Sequence, residues 1–135
     1  MTRINVVDPA TLSRQHLVAE YRELPRIFAL SYAAQQRNED PKTHPTEYTL
    51  GKGHVKFFYT RLGWLSARFL ALVAEMQKRG YKTTYTTPPA FPHKDEWQQD
   101  WTPTVDAVRI NTNRINERSI TSLNRQRGYV IVEGE

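Results

Sequence analysis

The chain has 135 residues, enough for one ordinary hydrophobic core and too few for two domains of typical size, so residues 1–135 are read as one domain. Its 19 Lys and Arg against 14 Asp and Glu leave a net charge of +5, which suits an acidic partner such as nucleic acid and is equally compatible with a plain solvated surface. The absence of cysteine excludes disulfides, thiolate metal sites and a cysteine nucleophile, and no apolar run approaches the roughly 18 residues that span a bilayer.

Residues 1–10 lack the apolar core of a signal peptide, so a soluble cytoplasmic protein is expected, nucleoid-associated or in the host cytoplasm if viral. Asp8-Pro9, then Thr11 or Ser13, offer helix-start chemistry ahead of Leu17, Tyr21, Leu24 and Phe28 at helical spacing. The spacing predicts a first helix from about residue 12 to the mid-30s, with a kink or break near Leu24 where Pro25 removes a backbone donor. Residues 38–48 are polar and contain Pro41 and Pro45, the pattern of a surface loop. In Leu50-Gly51-Lys52-Gly53-His54, two glycines flank a lysine; a tight turn is the commoner meaning and a phosphate cradle the alternative.

Trp64, Leu65, Arg68, Phe69, Leu72, Val73 and Met76 line up as the stripe of a second helix that Gly80 stops. From Thr83 to Trp101 the chain is rich in Pro and Thr, and is expected to cross the surface without regular structure, its aromatics supplying any packing. A last helix opens at Thr102-Pro103 or Thr104, with Val105, Val108, Ile115 and Leu123 read as inward and Arg109, Arg114, Arg118 and Arg125 as mostly outward. Only the tail from Tyr129 to Val132 alternates like a strand. The class is all-α, a compact bundle of three main helices with long irregular loops.

At 100° per residue, Gln15, His16, Ala19, Arg22, Glu23 and Arg26 share one arc of the first helix, apart from its apolar arc. Arg22 and Arg26, four apart, repel each other by a few tenths of a kcal/mol in an isolated helix, and an external anion such as a DNA phosphate reverses that cost. Glu23 between them is either a solvated partner of Arg26 or a carboxylate reserved for a cation. A carboxylate repels the anion that the arginines attract. It suits the positive charge that develops on a sugar during glycosidic cleavage, or on an iminium. His16 alone reads as a surface or core-edge histidine.

Thr2-Arg3-Ile4-Asn5, Gln15-His16-Leu17 and the string from Ala19 to Arg26 closely resemble the phage-type family of pyrimidine-dimer DNA glycosylases and abasic-site lyases, often called the endonuclease V type. Gly53-His54-Val55, Phe57-Phe58-Tyr59 and Lys78-Arg79-Gly80 look like further motifs of the same family. The resemblance implies removal of Met1 and attack on the sugar by the Thr2 amine, whose reference pKa of about 7.7–8 leaves a useful free-base fraction near neutral pH. Neighbouring Arg3, Arg22 and Arg26 are expected to push that value down. It implies Glu23 as the acid/base residue, Arg22 and Arg26 on flanking phosphates, and Arg3, Gln15 and His16 as supports. Arg114 and Arg118 match a basic pair on the family's third helix and either track the DNA backbone or form a solvated face.

The implied partner is double-stranded DNA with a damaged or abasic site. Neither cofactor nor metal, no membrane and no obligate protein partner is expected, and the chain is expected to be monomeric. The implied activity is base-excision repair of UV-induced cyclobutane pyrimidine dimers through a Schiff base and β-elimination. The alternatives are a lyase or glycosylase with a different lesion specificity, or a non-catalytic basic DNA-binding module. The sequence departs from the family at Phe69, where a glutamine is usual, and in its tail, Arg127 to Glu133, which lacks the family's aromatic cluster. Trp97, Trp101 and Tyr129 are candidate substitutes, with core packing the commoner use of a tryptophan.

Overall fold

Ser13 opens the first helix, its hydroxyl accepting from the His16 N–H at 3.2 Å, while Asp8-Pro9 starts a separate single 3-10 turn, Pro9–Thr11. The computed structural model describes the backbone of residues 4–126 and the side chains as far as Arg118. Thr2, Arg3, the side chains of Leu123 and Arg125, and the stretch from Tyr129 to Val132 lie outside the described residues. The helices are α1 (Arg14–Gln36), α2 (His54–Phe57), α3 (Leu62–Lys78) and α4 (Val105–Gln126), and no strand occurs among the described residues. The all-α expectation holds, with three long helices and one short turn of helix.

Pro25 does not interrupt α1, so of the kink or break expected near Leu24 the break does not occur. An interior proline costs about 3 kcal/mol. Leu17, Tyr21 and Leu24 before it, and Ile27 and Phe28 after it, are all buried, at about 1.5–3 kcal/mol for each large apolar side chain. Burial on both sides of the proline outweighs the local penalty.

α3 packs along α1, with the Phe69 ring stacked on Tyr21 at 5.6 Å. The helix ends as expected at Gly80: φ is +80°, and the Tyr81 N–H reaches back to the Met76 carbonyl at 2.9 Å. The segment between α3 and α4 crosses the surface largely irregularly, yet it is tied down. Tyr21 Oη donates to the Tyr85 carbonyl and accepts from the Tyr85 N–H, Gln35 accepts from the Lys94 N–H, and Trp97 is buried. Gly63 lets this segment close on α3: its N–H donates to the Gln99 carbonyl, and a Cβ there would stand 2.9 Å from the Gln98 carbonyl oxygen.

α4 starts where Thr104 Oγ1 accepts from the Ala107 N–H, but its facing differs from the expectation. Val105 is 86% exposed and Val108 is also exposed; Ala107 and Asn111 are fully buried, with Ile110 and Ile115 partly buried. Ala107 joins the hydrophobic core, with Ile110 and Ile115 packed against it, while Asn111 turns inward to bond the Val6 N–H and the Asn5 side chain. Arg68, placed by its spacing in the apolar stripe of α3, is indeed buried, but as half of an ion pair with Glu20. No helix among the described residues is long and apolar enough to cross a membrane.

Candidate nucleic-acid interface and catalytic cleft

The polar arc of α1 faces outward. Gln15, Arg22 and Arg26 are exposed, and His16, Ala19 and Glu23 are half-buried. Glu23 and Arg26 form an ion pair at 3.2 Å, so the spacing-based pairing is present, while Arg22 makes no ion pair among the described residues. A cleft of about 460 Å³ opens beside this pair. Glu23 and Arg26 line it together with the apolar Ile4, Ile27, Leu30 and Val55. A carboxylate, a guanidinium and apolar side chains therefore meet at one concavity next to the exposed Arg22 and Arg26.

On α4, Arg118 lies close enough to the polar arc of α1 for its charge to act on His16. Burial and the nearby Arg118 charge together hold the His16 ring below its ordinary proton affinity, with Glu20 opposing them. His16 is thus a neutral polar group near neutral pH, and its Nδ1 is buried without a hydrogen-bond partner. Arg114 is half-buried, 4.0 Å from Glu117, and Arg118 is exposed.

Beneath the arc lies a polar network that spacing did not reveal. Glu20, fully buried, accepts from Arg68 Nε at 2.8 Å and Nη2 at 3.0 Å, and from Asn5 Nδ2 at 2.8 Å. Asn5 Oδ1 accepts from Asn111 Nδ2, and Asn111 Oδ1 accepts from the Val6 N–H at 2.7 Å. Arg68 also donates to the Val7 carbonyl. A sequence signal for this existed, since Glu20 falls between Leu24 and Ile27 on the helical wheel and Arg68 lies within an apolar stripe. Two opposite charges at predicted core positions each need a partner.

Of the aromatics offered as substitutes for the missing cluster, Trp97 is buried against His44, and Trp101 packs on Phe57 and Trp64. Tyr129 lies outside the described residues. The described aromatic most open to solvent is Tyr85, at 70%.

An all-helical fold thus sets exposed Arg22 and Arg26 on one helix face, with the Glu23 carboxylate beside them at a cleft. Residues 1–88 match the family model for pyrimidine dimer DNA glycosylases, and the chain belongs to that family. The family sets the class of activity as a DNA-repair glycosylase and the substrate as DNA.

Proposed function

We propose that the chain excises cyclobutane pyrimidine dimers from duplex DNA and then cuts the strand as an abasic-site lyase, with the Thr2 amine, freed by removal of Met1, as nucleophile. The amine attacks C1′ of the dimer's 5′ nucleotide, and the C1′–N1 bond breaks with its electrons leaving on the base. Opening of the sugar ring gives an iminium between the amine and C1′. Loss of a C2′ proton then expels the 3′ phosphate by β-elimination, and water releases the enzyme. Glu23 stabilises the cationic sugar and iminium and serves the proton transfers. Arg22 and Arg26 hold flanking phosphates, Arg3, Gln15 and His16 support them, and Arg114 and Arg118 follow the backbone. The duplex opens by extruding a base, as enzymes acting on bases generally require.

The observation that carries this reading is that Ile4 lines the same cleft as Glu23 and Arg26. Two peptide units separate Ile4 from Thr2, a reach of at most about 7.6 Å between α-carbons. Asn111 of α4 bonds both Asn5 and Val6, which supports reading the whole chain as one domain serving one reaction. A second reading keeps the lyase and changes the lesion, and one observation favours it: of the tryptophans offered in place of the missing aromatic cluster, Trp97 is buried and Trp101 is half-buried in packing with Phe57 and Trp64.

The deciding experiment is borohydride trapping on duplexes bearing a thymine dimer or an abasic site, with loss of Met1 checked by mass. A covalent adduct on both, abolished by acylating the terminal amine, is expected. An adduct on the abasic duplex alone moves the assignment to the second reading, and none on either overturns the catalytic proposal.

A further inference from the structure

Chain termini are usually loose unless something ties them down. Here the segment from Ile4 to Val7 is tied by side chains from distant parts of the chain. The Ile4 N–H donates to His54 Nε2 at 2.8 Å, and the Ile4 carbonyl accepts from Tyr48 Oη at 3.0 Å. Asn5, Val6 and Val7 are taken by Glu20, Asn111 and Arg68. Because the partners are side chains and not a backbone ladder, the path of this segment depends on their identity.

The His54 bond also sets the state of its ring. A backbone N–H can only donate, so Nε2 must accept, and the ring proton sits on Nδ1, which donates to the Thr49 carbonyl at 2.7 Å. The Gly51-Lys52-Gly53 turn delivers the ring inward. Gly53 has φ +96°, and a Cβ there would lie 2.9 Å from the Pro45 side chain, so the turn needs glycine at that position and leaves His54 only 2% exposed. The turn's visible task is to present a histidine to Ile4.

Building on the function proposed above, we infer that His54 is a positioning residue for the nucleophile: it fixes Ile4, two residues along the chain from Thr2, at the cleft shared with Glu23. Ile4 and Val55, the neighbour of His54, both line that cleft. Attack at C1′ needs a defined approach, and a displacement near 1 Å can cost about 100-fold in rate.

The test compares His54→Leu, which removes the acceptor, with His54→Gln, whose Oε1 can still accept from the Ile4 N–H. The readouts are the single-turnover rate of borohydride-trapped adduct at saturating abasic duplex, the Kd for that duplex, the urea midpoint, and hydrogen exchange at the Ile4 amide. We expect His54→Leu to lose about 10- to 100-fold in rate with Kd unchanged and Ile4 exchange accelerated, and His54→Gln to recover most of the rate. Should His54→Leu fail to fold, Tyr48→Phe removes the hydroxyl that bonds the Ile4 carbonyl, and a several-fold loss of rate at unchanged Kd is expected.

A foldable His54→Leu trapped as fast as the wild type overturns the inference. So does an equal loss in the Leu and Gln variants that tracks lost stability. If Tyr48→Phe must stand in, an unchanged rate overturns it too. Failure of the wild type to trap the abasic duplex is a different result, and it overturns the parent reading.

Discussion

Arg22 and Arg26 share an exposed face, and Glu23 pairs with Arg26 at 3.2 Å. In the proposed complex a phosphate must compete with Glu23 for Arg26, whereas Arg22 is available without that competition. Arg22→Gln is therefore expected to weaken duplex binding and lower the slope of log K against log salt by about 0.9, the contribution of one phosphate. His16→Gln should leave that slope unchanged at neutral pH, because burial and Arg118 keep the ring uncharged there. Fluorescence anisotropy of a labelled duplex across a salt series separates the two; a slope that falls with His16→Gln would show a charged ring on the phosphates. Glu23→Gln removes the group that competes for Arg26 and repels DNA, so binding should tighten while trapping on an abasic duplex falls by about 10²–10⁴-fold. A Glu23→Gln variant with near-normal trapping would remove the carboxylate from the chemistry.

At the scale of the helices, the buried Glu20–Arg68 pair joins α1 to α3 and both to the N-terminal segment. Removing one member leaves the other charge buried without its counter-ion, so Glu20→Leu or Arg68→Met should each cost about 3–5 kcal/mol in urea unfolding. The double variant should cost clearly less than the sum. Additive losses would mean that the two side chains do not act as a pair. This network also marks where local reading of the chain stops. α1, α3 and the Gly80 stop were legible because periodicity, a Ser13 cap and a glycine terminator act within a few residues. The facing of α4 was legible only in part: Ile115 does pack on the core, but Val105 and Val108 point to solvent while Ala107 and Asn111 turn inward, and Asn111 does so for long-range bonds to Asn5 and Val6. The outer face of the site, Arg22, Glu23 and Arg26, could be read from helical spacing and from resemblance. Its support could not: His54 and Ile4 are 50 residues apart, and no local pattern announces a single long-range bond between a ring nitrogen and an amide.

Over the whole molecule, the titrating groups with resolved shifts and direct bearing on acid stability pull the same way. Burial lowers the proton affinity of His16, with help from Arg118, and of His93, where the Phe91 backbone partly opposes it. The unfolded chain binds protons at these rings first, so their contribution is complete above the ordinary value of 6.5 and is lost as pH falls below it toward the lower folded values. Glu39, held below the ordinary 4.5 chiefly by its hydrogen bond with His44, loses its contribution at still lower pH. The urea midpoint should therefore fall between about pH 7.5 and 5.5, with a shallower fall in His16→Gln and in His93→Gln. DNA affinity should move oppositely. Protonating His16 adds a positive charge beside Arg118 on the proposed DNA face, and bound phosphate favours that proton by the same linkage. The wild-type salt slope should thus steepen on acidification by up to about one phosphate contact, a change absent from His16→Gln. If His16→Gln steepens as the wild type does, another group carries the acid-dependent charge, and the stability and binding effects do not meet at His16.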